Sequence, residues 1–295
     1  MGYAIVAGVL SLIGGIVSAR FLIGLQLRLR VSQVQKSYGV RIDSETKGST
    51  PTIGGVTFIL TALVALAAQG CVSAPLFSEA LFFWSLPVAC GLIGFIDDWL
   101  KLTQKSSEGF TSLRKLAVQL IVASAWIFWA RSRGVLFLWP GLECPDWFVV
   151  PFAIVAVAGM MNAVNVTDGL DGLAGGAFLI SLGILACLVM FPIPELWHGR
   201  FAILFGMVAG FLFYNIHPAR IFMGDAGSHF LGGALVAVCV GGGMLMALIP
   251  AGFIFGIELL SSAVQIISIR KFGRKILKMA PLHIIFNSWA GRKRP

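Results

Sequence analysis

The chain has 295 residues, 58% of them hydrophobic and only 12% charged, with a formal net charge of +9. Soluble globular chains run near about half apolar and about a quarter charged, so a soluble fold is excluded. A transmembrane barrel is excluded as well, because the apolar runs reach roughly 20 residues and do not alternate.

In chain order, spans are predicted near 3–27, 52–70, 79–96, 114–130, 147–165, 173–191, 200–214, 227–247 and 250–269. The fold class is therefore all-α, a polytopic membrane protein of about nine spans forming a single domain over 1–295. The first run is too long, and lacks the basic leader and cleavage site, for a removable signal peptide. It is expected to stay as a span. The last two spans come from one apolar block, 227–269, with a tight turn expected at Pro250.

Basic residues mark the two sides of the membrane. One set of loops carries Arg28, Arg30, Lys36, Arg41, Lys47, Lys101, Lys105, Arg114, Lys115, Arg220 and the tail from Arg270. The other set carries Arg131, Arg133 and Arg200. The positive-inside rule places the first set in the cytoplasm, with the N-terminus outside and the C-terminus inside. This distribution points to anionic lipid headgroups or an anionic substrate, with no nucleic acid as partner. The five cysteines (71, 90, 144, 187 and 239) show no C-x-x-C pairing and read as small buried hydrophobes.

Three acidic clusters fall on the basic side. Asp97 and Asp98, with Lys101, end the third span; Asp168 and Asp171 follow the fifth; Asp225 follows the seventh in I-F-M-G-D-A-G-S. Each alone could be a helix cap or a turn. Carboxylates at a membrane edge are costly, however, and three clusters meeting on one side mark a functional site. If helical, Asp168 and Asp171 would share a face. Adjacent carboxylates repel, so Asp97–Asp98 calls for a cation, and hard oxygen donors suit Mg²⁺ or Mn²⁺ with a substrate phosphate. That is the chemistry of phosphoryl transfer. Glu258, inside the ninth span, must face protein or a polar cavity, and reads as a hydrogen-bonded structural acid. Lone histidines such as His217, His229 and His283 carry little by themselves.

The ordered elements D-D-x-x-K at 97–101, N-x-x-N-x-x-D-G-x-D-G-L at 162–173 and F-M-G-D-x-G-S at 222–228 resemble the polyprenyl-phosphate N-acetylhexosamine-1-phosphate transferases. K-G-S-T-P-T-I-G-G at 47–55, F-Y-N-I-H-P-A-R at 213–220 and M-A-P-L-H at 279–283 are similar to the muramoyl-pentapeptide branch of that superfamily. The resemblance implies transfer of phospho-N-acetylmuramoyl-pentapeptide from UDP to undecaprenyl phosphate, giving lipid I and UMP. Its implied partners are UDP-MurNAc-pentapeptide, undecaprenyl phosphate, membrane lipids and a second copy in a homodimer, at the bacterial inner membrane. Mg²⁺ is the implied cofactor, with Asp225 as its ligand. Asp97 and Asp98 would form the acidic pair at the reaction centre, Asp97 engaging the lipid phosphate. Asp168, Gly169, Asp171 and Asn215 would form the nucleoside-sugar pocket, with Phe222 stacked on uracil and Asn165 also binding substrate. Lys47, Lys101 and Lys105 would face phosphates, and His283 would be the essential tail histidine.

Two departures from the family pattern stand out. The tail reads P-L-H-I-I-F-N where the family has P-L-H-H-H-F-E, and the tenth family span has no counterpart before Pro295. They keep open a sister reaction using UDP-N-acetylglucosamine for another surface polymer. A secondary transporter is a further alternative, but its coupling acids belong near the midplane, and no inverted repeat is visible.

Overall fold

A computed structural model describes residues 2–29, 50–104, 109–189 and 195–284. Among them every regular element is helical. Nine helices stand close to the predicted spans: α1 (Gly2–Leu29), α2 (Val56–Gly70), α3 (Ala74–Thr103), α4 (Ser112–Ser132), α5 (Asp146–Thr167), α6 (Leu173–Val189), α7 (Glu195–Asn215), α8 (Gly224–Gly241) and α9 (Phe253–Phe272). Among the described residues, six helices are long and apolar enough to cross a membrane, while Val56–Gly70 and Leu173–Leu188 are shorter apolar helices.

Helix α8 is the axis. Every residue from Ala226 to Val240 is buried, and α3 and α5 pack along it. Small side chains allow this, since Gly232 and Gly233 lie against Met161 and Cys90. Around this core, α1 lies on α7, where Gly206 and Gly210 bring the backbones within reach of Gly8 and Leu12. In lipid, such small residues replace the hydrophobic drive with close van der Waals contact. The outer faces expose Ile5, Leu10 and Phe21 of α1, Ile121 and Phe128 of α4, Val155 of α5 and Leu260 of α9. A soluble monomer would not leave so large an apolar surface in water. The chain is a polytopic helical membrane protein.

Several boundaries differ from prediction. Helix α3 runs on to Thr103, so Asp97, Asp98 and Lys101 lie inside its last two turns rather than at its end. Helix α8 starts at Gly224, placing Asp225 in its first turn. The tight turn at Pro250 is not formed. The break begins at Gly241–Gly243 and continues through a 3-10 turn (Leu245–Ala247) and a helical turn (Leu248–Ala251) that contains Pro250. Backbone N–H groups of Leu245 and Met246 donate to the carbonyls of Phe137 and Leu138, which fixes this stretch against the α4–α5 connection.

Candidate active site

Four helix ends converge at one end of the bundle: the C-termini of α3 and α5 and the N-termini of α4 and α8. Helix α3 presents Asp97 and Asp98, only 2% and 1% exposed. Their spacing to Lys101 is one helical turn, and Lys101 Nζ lies 2.7 Å from Asp97 Oδ2 and 3.5 Å from Asp98 Oδ1. The same ammonium reaches Asp225 Oδ2 at 2.9 Å. Lys115, in the first turn of α4, meets that oxygen at 2.5 Å and Asp97 Oδ2 at 3.6 Å. From α5, Asn165 Nδ2 donates to Asp225 Oδ1 at 2.8 Å and to Ser228 Oγ at 2.9 Å.

Backbone groups complete the cluster. Phe110 N–H donates to Asp97 Oδ1 at 2.8 Å, and Ala226 N–H donates to Asp98 Oδ2 at 3.0 Å. Gly224 makes the second contact possible. Its φ of +67° is left-handed, and a Cβ there would stand 2.3 Å from the Thr52 carbonyl oxygen and 2.6 Å from Asp98 Oδ2. The T-P-T-I-G-G segment docks beside it. Phe222 N–H donates to Pro51 O, and Gly54 and Gly55 donate back to Phe222 O and Met223 O. Phe222 itself is half-buried.

The segment 168–172 is a turn, so the shared helical face expected for Asp168 and Asp171 does not exist. Asp168 is the C-cap of α5, and Gly172 has φ +74°. Burial, followed by repulsion from Asp225, Asp98 and Asp171, raises the Asp168 pKa well above the ordinary carboxylate value. Asp171 accepts from the Ala219 N–H at 3.2 Å and lies 2.9 Å from His217 Nδ1, tying the turn to the α7–α8 connection. Asn215 is used on both sides by backbone: its Oδ1 accepts from Gly172 N–H at 3.2 Å and its Nδ2 donates to Ile221 O at 2.8 Å. It holds the two loops together.

The tail closes over this turn. Glu258 of α9 accepts the His283 backbone N–H at 3.1 Å, and its carboxylate lies 3.3 Å from the ring Nδ1. Desolvation lowers the His283 pKa, and Glu258 opposes that shift. The imidazole lies on Gly169, where a Cβ would stand 2.4 Å from Nε2. Gly169→Ala should therefore displace the ring. We expect about a tenfold to hundredfold loss of turnover, the effect of a misplacement near 1 Å, with thermal stability little changed. Unaltered steady-state kinetics would refute the contact's importance.

Not every expected residue is found here. Lys47, Lys105, Ile285 and Asn287 lie outside the described residues. Conversely, Lys115, in sequence only an orienting charge, sits on Asp225. The signal that would have found it is its i,i+4 spacing to Gln119 within an apolar helix.

Oxygen atoms of Asp97, Asp98 and Asp225 all lie within 4.8 Å of one another. The three carboxylates of Asp97, Asp98 and Asp225 face the two ammoniums of Lys101 and Lys115, leaving a formal charge of −1. A hard divalent cation fits both that surplus and the all-oxygen donor set.

The profile of the family described as glycosyl transferase family 4 matches residues 80–243, the stretch that carries Asp97, Asp98, Lys115, Asn165 and Asp225. A phospho-N-acetylmuramoyl-pentapeptide-transferase of Halalkalibacterium halodurans is 34% identical over 287 residues, covering 93% of this chain and 86% of the relative. A protein of the same name from Trichormus variabilis is 37% identical over 287 residues, with 93% and 77% covered. A third, from Oceanobacillus iheyensis, is 37% identical over 251 residues, with 81% and 76% covered. With a buried acid–lysine cluster inside the matched region and this likeness along most of its length, the chain belongs to glycosyl transferase family 4, among the phospho-N-acetylmuramoyl-pentapeptide transferases.

Proposed function

We propose that this enzyme transfers phospho-N-acetylmuramoyl-pentapeptide from its UDP carrier to undecaprenyl phosphate, forming lipid I and UMP in peptidoglycan synthesis. The observation that carries the reading is the convergence of Asp97, Asp98 and Asp225 on Lys101 and Lys115 at one end of the bundle. Two ammoniums are set for charge on a diphosphate, and an acidic surplus is set for a metal ion.

In the proposed reaction an oxygen of undecaprenyl phosphate attacks the β-phosphorus of the donor. The bond to the α–β bridging oxygen breaks, and UMP leaves with that electron pair. A lipid monophosphate has a second pKa near ~6, so it is already largely ionised at neutral pH and needs alignment more than a base. Lys101 and Lys115 would reduce repulsion between the two anions and hold the donor in line. Both oxygens of Asp97 are engaged, one by Phe110 N–H and one by Lys101. That favours a positioning role for Asp97 and direct displacement over a covalent aspartyl intermediate. Mg²⁺ held by Asp225, with Asp97 and Asp98 beside it, would supply charge neutralisation to the diphosphate.

Asp168, biased toward its neutral form, could donate as well as accept at a base edge, which suits the nucleoside side of the pocket. Gly169, Asp171 and Asn215 would shape that pocket, Phe222 would stack on uracil, and His283, oriented by Glu258, would close it. Lys47 and Lys105 would add phosphate contacts. The basic loops orient this end toward the cytoplasm of a bacterial inner membrane, N-terminus outside. A single domain acting as a homodimer completes the proposal.

The test offers purified protein UDP-MurNAc-pentapeptide or UDP-N-acetylglucosamine with undecaprenyl phosphate and Mg²⁺, and measures UMP. The muramoyl donor should be turned over at least about a hundredfold faster, the scale at which a site built for polar groups rejects an analogue lacking them. Equal rates, or preference for the smaller donor, would point to the sister reaction.

A further inference from the structure

One turn deeper into the bundle than Lys115, Asn165 and Asp225 lies a second polar layer on the same three helices. Gln119 follows Lys115 by four residues on α4, Asn162 precedes Asn165 by three on α5, and His229 follows Asp225 by four on α8. At those spacings each residue sits on the same helix face as its partner above. The layer is closed by short contacts: Asn162 Nδ2 donates to Gln119 Oε1 at 2.8 Å, and Gln119 Nε2 meets His229 Nε2 at 3.1 Å. Gln119 and His229 are both buried, 1% and 0% exposed.

Its polarity follows from one anchor. Asn162 Nδ2 also donates to the Ala158 carbonyl at 2.7 Å, and a carbonyl accepts only, so the Asn162 amide cannot be reversed. Gln119 Oε1 must then accept, Gln119 Nε2 must donate, and His229 Nε2 must accept. The imidazole is therefore neutral, with its proton on Nδ1. That fixed tautomer excludes His229 Nε2 as a proton donor and leaves it as a strut.

We infer that Gln119 and His229 are positioning residues that hold α4 against α8 so that Lys115 meets Asp225. Two polar links join these helices, Lys115–Asp225 above and Gln119–His229 below. An amide buried in the bundle without its partner would seek another, and α4 would shift or rotate to provide it. The change would pass directly to Lys115, one turn away. A site whose rate depends on sub-ångström alignment would register that shift in kcat while substrate affinity stays nearly constant.

The inference rests on the transfer reaction proposed above, and the test separates the two. In the full chain, Gln119→Leu and His229→Leu should each lower kcat about tenfold to a hundredfold, with KM for the UDP donor within about twofold. The double variant should lose no more than the worse single one, because either change removes the same link. His229→Gln, which restores an acceptor, should recover most of the rate. Losses that multiply in the double variant, or single variants with lowered thermal stability and unchanged kcat, would overturn the strut. Should a leucine variant fail to fold, or the unmodified chain release no UMP, ¹⁵N NMR of histidine-labelled wild type still decides. It should show His229 neutral and protonated at Nδ1, and an Nε2–H tautomer would refute the network. An inactive wild type with the expected tautomer would count against the reaction alone.

Discussion

Asp225→Asn should lower turnover by about a thousandfold or more, beyond the loss from removing a single donor to a developing charge. The substitution preserves size and leaves α8 buried. It removes the one carboxylate that Lys101, Lys115 and Asn165 all contact. An amide has one acceptor oxygen and carries no charge, so it cannot serve two ammoniums and a metal ion together. Two effects therefore coincide: Lys101 and Lys115 lose their common anchor, and the all-oxygen site loses its best-placed ligand. The comparison is UMP release by variant and parent protein, purified in the same detergent, with thermal unfolding as the control for folding. Activity within about tenfold of the parent would contradict the role given to Asp225.

Lys115→Met should cost about a hundredfold or more in turnover. Met keeps the length and apolar stem, so packing in the first turn of α4 is preserved, while the charge within 2.5 Å of Asp225 and 3.6 Å of Asp97 is lost. With Lys101 alone facing the three carboxylates of Asp97, Asp98 and Asp225, repulsion at the approach of a phosphate dianion increases. Combining Lys115→Met with Asp225→Asn should cost little more than Asp225→Asn alone, since both changes disrupt the same contact. Independent, multiplying losses would assign Lys115 to another task.

The helices were legible because apolar runs of membrane length leave few alternatives. Their ends were less so. Hydropathy stops counting at a charge, but Asp97, Asp98 and Asp225 are charges that the bundle itself encloses, so α3 and α8 extend past where the apolar signal fades. The break expected at Pro250 differs for the opposite reason. Proline is the stronger signal in sequence, but the chain leaves α8 at Gly241–Gly243, with φ +66° at Gly243.

Among site residues, acids stood out against an apolar background and could be collected by topology. Lys115 did not, because a lysine beside Arg114 at a span edge looks like any orienting charge. Gln119 is an isolated polar residue in sequence, and Asn162 and His229, though visible there, show no link to each other. Their message lies in register with Lys115, Asn165 and Asp225, and needs the helices side by side to be read. The Glu258–His283 contact joins residues 25 apart through a turn with no periodic signal.

The most direct test of the account follows the phosphorus. UDP-MurNAc-pentapeptide labelled with ³²P at the β-phosphate, incubated with undecaprenyl phosphate, Mg²⁺ and the purified chain, distinguishes the bond that breaks. Transfer of the sugar phosphate places the label in the lipid fraction, with unlabelled UMP released. Label recovered as UDP, with sugar but no donor phosphate on the lipid, would show cleavage at the glycosidic bond and contradict phosphoryl transfer at this site.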